Sequence, residues 1–450
     1  MADKPLKFCM VTTFYPPYNF GGDGMHIYRL SNELARRGHF VDVYHCEDSF
    51  LLLNKKAPTG NFPNHENVKV HGLKSGKGFL SPLLTQQTGV PFFKHEIKEA
   101  MEKNQYDVIH YHNMSLIGIT ALSYGGDSAV KLYTTHEHWL VCPMHVLWKF
   151  NREVCEKKSC LSCQLAGKRP PQLWRHTGLL EQQLKHIDCF LSPSRFTLRK
   201  HLEAGLDVPI KHLPYFLPAP PEQTESLPTQ EAPARPYFLF VGRLERIKGV
   251  QNIIPVFKNQ PAYDLLIAGD GDYKETLVKQ AENCPNTKFL GRLDQKTLQG
   301  LYQSAVAVIV PSICYETFGI IIIEAFSRKT PVIVNNLGAL PEVVEDSGGG
   351  FVYENQDELI EAMNKLAANS ALRNELGKKG YQAFLKYWNE EAHLEQYLGI
   401  IDTFREKRRE KIEIGERFFS AEAKSMMSFP KNIQQQQQEC SSLKREISEE

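Results

Sequence analysis

The stretch SAVAVIVPSICYETFGIIIIEAFSRKTPVIVNN, residues 304–336, carries the clearest fold signal in the chain. A short apolar run leads through a polar loop into a second apolar run, which only Glu324 interrupts, and a third apolar run follows Pro331. Short apolar runs bounded by Gly and Pro indicate buried strands, and the central run fits one helix. The stretch therefore predicts a strand, a loop, a helix and a second strand of α/β type.

The same alternation of strand and helix patterns extends over most of the chain. After the first apolar run, MHIYRLSNELARRG places Ile27, Leu30 and Leu34 on one helical face and Gly38 at its end, which predicts a helix of about three turns. Strands that alternate with helices at this spacing predict parallel sheets covered on both faces. The alternation restarts after residue 236, so we predict an α/β fold with two Rossmann-like domains facing across a cleft.

Composition indicates where these domains end. The segment YFLPAPPEQTESLPTQEAPARP is rich in Pro, Glu and Thr and lacks periodicity, which predicts a linker. The tail after Lys407 is polar and includes a glutamine run, so we predict disorder there. The predicted divisions are a first domain at residues 1–215 with an inserted Cys-rich loop at 142–163, a linker at 216–236, a second domain at 237–385, a C-terminal helix at 386–406, and a disordered tail at 407–450.

The near-zero net charge predicts that the protein does not attract a partner through an electrostatic field of one sign over its whole surface. The chain has 53 Lys and Arg against 52 Asp and Glu, a formal charge of +1, and 42% of its residues are hydrophobic. This balance predicts no nucleic-acid partner and leaves any phosphate recognition to local groups. No window has the roughly 18–20 apolar residues of a membrane span, and the N-terminus reads as a first strand, so we expect a cytoplasmic protein.

Glu316 and Glu324 are the first candidate functional residues. If Gly319 opens the helix, Glu324 lies in its second turn and Glu316 in the preceding loop, so both carboxylates can face one ligand. A carboxylate among isoleucines is costly unless it is paired or accepts hydrogen bonds, and sugar hydroxyls could donate them. The structural alternative is that Glu324 pairs with an Arg or Lys and that Glu316 only caps the helix.

This segment resembles the retaining nucleotide-sugar glycosyltransferases of family 4, which have the GT-B fold. Their pattern is Glu, seven residues and Glu, with Phe-Gly soon after the first. The resemblance implies that Glu324 accepts hydrogen bonds from the nucleotide ribose and that Glu316 contacts the transferred sugar. It also implies that Phe318, Gly319 and Ile320 line the donor. A C-terminal helix is expected to cross back to the first domain.

Two further segments of the second half extend the resemblance. FVGRLERIKG matches the family segment in which an Arg and a Lys neutralise the diphosphate, and these roles fall on Arg243 and Lys248. Two fixed cations stabilise a departing diphosphate without needing a metal, so no catalytic metal is expected. The alternative is that both are merely exposed surface cations. IAGDGDY resembles the stretch beside the base, which implicates the turn Gly269, Asp270 and Gly271.

The first half supplies the other side of the predicted cleft. Gly21 and Gly22 lie between a strand and a helix, where they permit close backbone approach to a phosphate or sugar. The resemblance places His136, at the end of a strand, near the anomeric centre, with His138 as its rival. His110 and His112 are candidates to line the cleft, and GALPEVVEDSGGG implies that Gly338 and Glu342 lie close to the donor.

A cysteine cluster departs from this pattern. Four of the ten cysteines fall within 22 residues, and four thiols have the ligand number of a structural zinc site. Free thiols and a redox or iron–sulfur role are the alternatives. A rigid loop here would lie on the acceptor side of the cleft. The predicted zinc ligands are Cys142, Cys155, Cys160 and Cys163.

The function we predict is transfer of a hexosyl group from a nucleotide diphosphate sugar to an unidentified acceptor, with retention of configuration. The alternatives are a silent sugar-nucleotide-binding or scaffold protein, and a related GT-B epimerase or phosphorylase. The partners expected are the nucleotide sugar and the acceptor. The basic residues of the tail offer one route to peripheral membrane contact, although acidic residues interleave with them. The sequence leaves the donor base, the sugar and the oligomeric state open.

Overall fold

The computed structural model describes residues 4–54, 57–220 and 235–427, with the backbone alone for 411–427. The chain divides into a compact unit ending at Leu398 and a second unit beginning at Gly399. The strands, in chain order, are β1 (Lys7–Thr12), β2 (Phe40–Cys46), β3 (Val68–Leu73), β4 (Val108–Tyr111), β5 (Val130–Thr134), β6 (Trp148–Lys149), β7 (Glu153–Val154), β8 (Cys189–Ser192), β9 (Ile210–His212), β10 (Tyr237–Val241), β11 (Asp264–Ala268), β12 (Thr287–Gly291), β13 (Ala307–Val310), β14 (Val332–Asn335) and β15 (Gly350–Tyr353).

Helices connect these strands in the alternation that the sequence predicted. Three short 3-10 turns accompany them at Ile119–Ser123, Leu173–His176 and Arg246–Lys248. The α-helices are α1 (Gly22–Arg36), α2 (Glu47–Leu53), α3 (Leu80–Thr88), α4 (Lys94–Lys103), α5 (Cys160–Ala166), α6 (Leu179–Leu184), α7 (Arg195–Glu203), α8 (Val250–Lys258), α9 (Lys274–Gln280), α10 (Gln295–Ser304), α11 (Ile320–Phe326), α12 (Leu340–Ser347), α13 (Gln356–Ala368), α14 (Ser370–Tyr387) and α15 (Glu390–Met427).

Two parallel sheets confirm the predicted pair of Rossmann-like domains. The first has the order β3-β2-β1-β4-β5-β8-β9 and the second β12-β11-β10-β13-β14-β15. Every strand pair within both sheets is parallel, whereas β6 and β7 form a separate antiparallel hairpin. In each sheet the strand order reverses beside the first strand, between β1 and β4 and between β10 and β13. Open α/β sheets bind ligands at such reversals, outside the carboxyl ends of the strands.

Alternate side chains of the second sheet pack into two separate hydrophobic clusters, one on each face of the sheet. Tyr237 and Leu239 of β10 pack into one hydrophobic cluster, while Phe238 and Phe240 pack into the cluster on the opposite face. Successive side chains of a strand point to opposite faces, so a run of apolar residues is required when helices cover both. This explains why the strands read as continuous apolar runs instead of alternating ones.

Helix α1 follows the predicted face closely. Ile27, Leu30, Leu34 and Ala35 are all buried, and the helix ends at Arg36. Gly38 has a φ of +88° and donates its amide to the carbonyl of Ala35. A left-handed glycine after the last turn is a common helix stop. The helix therefore begins at the loop after β1 and is anchored to the sheet by its apolar face.

The C-terminal part of the chain is more helical than predicted. Helix α15 extends through Met427, into the segment for which the sequence predicted disorder. Within the first compact unit, the Tyr397 hydroxyl near the start of α15 lies 2.9 Å from the His110 imidazole of the first sheet. Most of the predicted linker, residues 221–234, and the end of the tail, residues 428–450, lie outside the described residues. Among the helices that the structure describes, none is both long and apolar enough for a membrane span.

Gly249 provides a test of this architecture. Its φ is +74°, and a Cβ there would lie 1.8 Å from the carbonyl oxygen of Pro311, after β13. We expect Gly249→Ala to lower the free energy of unfolding by at least about 2 kcal/mol, measured by urea unfolding. Gly300→Ala is the matched control, since Gly300 lies inside α10 with nothing within 4 Å of its Cβ position. Equal unfolding midpoints for the two variants would contradict this close packing.

Candidate active site

The loops after β10 and β13 meet at the reversal of strand order in the second sheet. The loop after β13 carries Glu316, and the loop after β10 carries Arg243 and Lys248. The amide of Ile313 donates to the carbonyl of Ile247 at 2.9 Å, which ties the two loops together. The backbone therefore brings three of the predicted catalytic residues to one edge of the sheet.

Glu316 and Lys248 form a tight ion pair. Lys248 Nζ lies 2.6 Å from Glu316 Oε1, and the Ser312 hydroxyl donates to the same oxygen at 2.6 Å. The side chains are only 18% and 21% exposed respectively, so the pair is shielded from most of the solvent. Glu316 is therefore not a simple helix cap, and Lys248 is not a surface cation.

The pair fixes the charge of both groups. Burial alone would raise the pKa of Glu316, but the Lys248 ammonium and the hydrogen bonds outweigh it and lower this pKa. Burial alone would lower the pKa of Lys248, but the Glu316 carboxylate raises it. Both groups are consequently ionised at neutral pH, which leaves a fixed ammonium at the cleft.

Arg243 lies at the rim of this site. Its guanidinium pairs with Glu245 at 2.9 Å and is 57% exposed, although its charge also helps to lower the pKa of Glu316. The predicted turn Gly269–Gly271 packs directly on its loop: a Cβ at Gly269 would lie 1.8 Å from the carbonyl oxygen of Gly242. These glycines therefore permit contact between two backbones, and Asp270 accepts the amide of Gly271.

Helix α11 begins where the sequence predicted. Gly319 is its N-cap, with a φ of +91°, and a Cβ there would lie 2.7 Å from Leu340. Phe318 is buried, with its ring 5.4 Å from that of Tyr215, so only its backbone faces the loop. Glu324 Oε2 accepts a 2.8 Å hydrogen bond from the Tyr302 hydroxyl. Burial raises the pKa of Glu324, opposed by the charge of Arg29 and by the Tyr302 hydrogen bond.

The first domain contacts the start of α11 through the start of α1. A Cβ at Gly22 would lie 3.7 Å from the Ile320 side chain, so the glycine loop lies against the start of α11. Neither Gly21 nor Gly22 has a positive φ, and neither position is crowded. The backbone conformation therefore does not require glycine at these two residues, which leaves close approach to a ligand as their predicted role.

His136 lies in a buried chain of polar side chains. Its Nε2 is 2.9 Å from His112 Nδ1, its Nδ1 is 2.6 Å from the Tyr215 hydroxyl, and its carbonyl accepts from the Thr317 hydroxyl at 3.1 Å. Burial lowers the pKa of His136 to about 4, against the charge of Asp23. The residue that follows Glu316 thus contacts the backbone of His136, whose imidazole is uncharged at neutral pH.

The other predicted histidines have different surroundings. His110 Nε2 is 2.8 Å from the Thr134 hydroxyl, so its ring is held within the first sheet. His138 is fully buried beside His201, and its ring nitrogens have no hydrogen-bond partner among the described residues. Of the two rivals, His136 is the one whose backbone carbonyl contacts the Glu316 loop.

Glu342 contacts the first domain. It accepts the amides of Arg195 and Phe196, at the start of α7, at 2.9 and 3.0 Å. The Arg195 guanidinium also forms two 2.9 Å hydrogen bonds with Asp346. A carboxylate at a helix N-terminus is stabilised by the unpaired amides there. Glu342 therefore joins the two domains, while Gly338 packs against the backbone of Glu316.

Comparison with known proteins decides the family. Residues 20–215 match the model of Glycosyltransferase Family 4, and residues 222–383 match that of Glycosyl transferases group 1. The chain is 30% identical over 424 residues to alpha-maltose-1-phosphate synthase of Mycobacterium tuberculosis, covering 88% of this chain and 98% of that protein. The protein is a family 4 glycosyltransferase.

More distant relatives agree with this assignment. Glycogen synthase of M. tuberculosis is 27% identical over 365 residues, covering 75% of this glycosyltransferase and 80% of its relative. Sucrose-phosphate synthase from Thermosynechococcus elongatus superposes with a TM-score of 0.69 at 20% identity, covering 89% and 99% of the two chains. Anabaena HepE, solved in complex with UDP and glucose, superposes at 0.59 with 16% identity, covering 88% and 100%. These structures share the GT-B fold of this glycosyltransferase.

The four cysteines of the inserted loop lie close together in the glycosyltransferase. They form no disulfide and line one pocket, beside the β6–β7 hairpin and α5. Cys163 Sγ accepts the amide of Phe150 at 3.3 Å, and the Cys155 thiol points to the carbonyl of Lys157. Among residues 4–54, 57–220 and 235–427, no group of three or more His, Cys, Asp or Glu is arranged to hold a metal ion. Zinc binding by these four cysteines therefore stays a prediction, with free thiols and a redox or iron–sulfur role as its alternatives.

Several site residues of the glycosyltransferase escaped the sequence analysis. Ser312 precedes Glu316 by four residues, and a hydroxyl directly after an apolar strand was the available signal. Tyr302, Tyr215 and Thr317 gave no signal, because their partners are distant in sequence or belong to another strand. Asp23, whose charge raises the pKa of His136, lies in the same glycine-rich segment as the predicted Gly21 and Gly22.

We expect removal of Lys248 to destabilise the fold, because the buried Glu316 carboxylate then lacks a counter-charge. Lys248→Met leaves that carboxylate without its cation, so we expect a loss of about 2–4 kcal/mol of unfolding free energy at pH 7. In the native protein, the lowered pKa means that Glu316 stabilises the fold above its ordinary pKa and ceases to do so as pH falls through the lowered value. In the Lys248→Met variant the pKa of Glu316 rises, so Glu316 becomes protonated, and neutral, at a higher pH than in the native protein. The difference in unfolding free energy between the two proteins therefore shrinks toward pH 4.

Urea unfolding at pH 7 and pH 4 measures this difference. Lys379→Met is the matched control, because Lys379 pairs with Glu375 on the surface, where both side chains are at least half exposed. We expect it to cost less than about 0.5 kcal/mol at either pH. A Lys248→Met effect as small as the control, or one independent of pH, would be inconsistent with a buried ion pair.

Proposed function

We propose that this glycosyltransferase transfers a hexosyl group from a nucleotide diphosphate sugar to an acceptor bound by the first domain, with retention of configuration. The observation that carries the proposal is the 2.6 Å ion pair between Lys248 and Glu316 at the strand-order reversal of the second sheet. It fixes a cation and a carboxylate beside each other where ligands of such sheets bind. A diphosphate and a sugar hydroxyl are complementary to these two groups.

The donor would extend from α11 to the loop after β10. Glu324 is assigned to the ribose, because a largely buried carboxylate with one oxygen bonded to Tyr302 can accept from hydroxyls with the other. Glu316 is assigned to the transferred sugar, and Lys248 and Arg243 to the diphosphate. Arg243, being half-exposed, would contact the diphosphate only by turning from Glu245.

Transfer breaks the bond between the anomeric carbon and the diphosphate oxygen and forms one to an acceptor oxygen. Negative charge develops on the leaving diphosphate, and the fixed ammonium of Lys248 stabilises it without reorganisation. Retention implies attack on the face from which the diphosphate leaves, as expected from the family. The acceptor proton would then pass to the leaving phosphate, which lies on that same face.

Neutral His136 would border the sugar from the first domain. Its lowered pKa keeps the imidazole uncharged at neutral pH, so it can contact a developing sugar cation without repelling it. The hydrogen bond from Thr317 to its carbonyl ties this residue to the Glu316 loop. Closure of the two domains around the donor would exclude water and favour transfer over hydrolysis.

Glu324→Gln should weaken nucleotide binding. The carboxylate is expected to accept ribose hydroxyl hydrogen bonds, and a charged acceptor contributes about 1.5–3 kcal/mol, which corresponds to a roughly tenfold to hundredfold higher Kd. Calorimetry with uridine, guanosine and adenosine diphosphates measures this Kd, using the tightest binder. Glu361→Gln, at an exposed carboxylate of α13, is the control. An unchanged Kd in Glu324→Gln would exclude the ribose role.

The function itself is tested by turnover. A thermal-shift screen of uridine, guanosine and adenosine diphosphate sugars identifies the donor, because a ligand of the folded state raises its stability. Glucose 1-phosphate, oligosaccharides and lipid-linked sugars form the acceptor panel, and nuclear magnetic resonance of the product reports its anomeric configuration. We expect Lys248→Ala to lower kcat by about 100- to 1,000-fold while the donor Kd changes by less than about tenfold.

The control for this assay is Arg246→Ala, an exposed cation two residues from Lys248. It should retain the native turnover number. An inverted product would contradict retention, and binding of a sugar nucleotide with no turnover over the panel would favour the silent-protein alternative. If Lys248→Ala weakened binding of a nucleoside monophosphate as much as turnover, Lys248 would not act on the leaving diphosphate.

A further inference from the structure

Exposed apolar side chains concentrate on one part of the first domain. Twelve of the seventeen large hydrophobic side chains that are exposed in the described part of the chain belong to two segments, 51–92 and 161–173. They include Phe79 at 59%, Leu165 at 60% and Leu173 at 66% exposure. Single exposed leucines need no explanation, but a concentration of them marks an interaction surface.

Hydrogen bonds join these segments into one continuous surface. The hydroxyl of Ser81 in α3 donates to Asp48 of α2 at 2.5 Å. The Trp174 indole, in the 3-10 turn at 173–176, donates to the carbonyl of Gln86 in α3 at 2.9 Å. The amide of Gln172 donates to the Gln164 side chain of α5 at 3.1 Å. Helices α2, α3 and α5 and the 3-10 turn are therefore neighbours, and we call this surface the apolar–basic patch.

Apart from Glu47 and the buried Asp48 at the start of α2, the charges of the patch are basic. Residues 74–95 and 157–176 contain no Asp or Glu, although acidic and basic residues are nearly equal in number over the whole chain. Their exposed charged side chains are Lys74, Lys77, Lys94, Lys157, Lys158, Lys168 and Arg169. Leucine and phenylalanine beside an excess of lysine and arginine suit insertion among the acyl chains and headgroups of an anionic bilayer.

We propose that the apolar–basic patch docks this glycosyltransferase on the surface of an anionic lipid bilayer. The exposed leucines would enter the boundary between headgroups and acyl chains, and the lysines would contact the lipid phosphates. A second copy of the chain is a weaker candidate, since two patches of like charge would repel each other. The proposal is independent of the donor assignment, because binding needs no nucleotide.

Vesicle co-sedimentation with the full chain tests the proposal. The probes are vesicles of phosphatidylcholine, with or without about 30% phosphatidylglycerol. We expect binding to the anionic vesicles, much weaker binding to the neutral ones, and a decrease as salt rises. Leu161→Gln, Leu165→Gln and Leu173→Gln together should lower the binding constant at least about tenfold.

A matched triple variant controls for the loss of surface leucines in general. Leu202→Gln, Val278→Gln and Leu385→Gln remove apolar groups that are 41–47% exposed, against 51–66% for the three patch leucines, and that lie outside the patch. Circular dichroism and nucleotide binding confirm that each variant is folded. Lys157→Gln, Lys158→Gln and Arg169→Gln together should weaken binding to anionic vesicles, while the same changes at Lys365, Lys379 and Lys386 should not.

Three results would overturn the proposal. The first is a native protein that binds neither kind of vesicle. The second is an equal loss of binding in the patch variant and its matched control. The third is a native dimer, seen by light scattering, that the patch variant converts to a monomer while vesicle binding persists unchanged, which would assign the patch to a second copy of the chain. Failure of turnover with every donor would affect none of these measurements.

Discussion

The organising constraint of this structure is the buried ion pair between Lys248 and Glu316. A charged side chain that is only 21% or 18% exposed has a high desolvation cost unless an opposite charge lies beside it. The ion pair therefore requires the loops after β10 and β13 to approach each other. Gly249 makes the approach sterically feasible, because its missing side chain leaves space for the carbonyl of Pro311. The strand order of the parallel sheet thus places the two residues side by side, and each charge keeps the other group ionised. Thr317, the residue after Glu316, contacts the first domain through its hydrogen bond to the carbonyl of His136.

That connection makes the two halves of the cleft interdependent. Thr317 donates to the carbonyl of His136, and the imidazole of His136 in turn contacts Tyr215 and His112. This histidine is buried and uncharged at neutral pH, while the charges of Asp23 and Arg29 in the first domain act on His136 and on Glu324 respectively. Groups of both domains therefore set the protonation of the residues at the cleft.

The sequence allowed the fold to be predicted almost completely, and the site only in part. Apolar runs such as AVAVIVPS identify strands because both faces of a parallel sheet are buried, and Gly319 identified the start of α11 because its position requires a left-handed backbone. Site residues on one loop, such as Glu316, could be predicted for the same reason. The partners Tyr302 and Tyr215 could not, since such a contact depends on how separate strands are ordered. The cysteines illustrate a different case: proximity in sequence predicted that they lie together, and all four line one pocket, but their chemistry stays a prediction.

The inserted loop links the cleft to the apolar–basic patch. It leaves the first sheet directly after β5, where His136 lies, and the carbonyl of His145 accepts the amide of His138, which holds its first turn beside the cleft. His145 in turn contacts the Glu137 carboxylate at 2.7 Å. The same segment then forms α5 and the 3-10 turn at 173–176, whose leucines are exposed. One continuous stretch of chain therefore connects His136 with the proposed lipid-binding surface, so a structural change at either end can reach the other without crossing a separate domain.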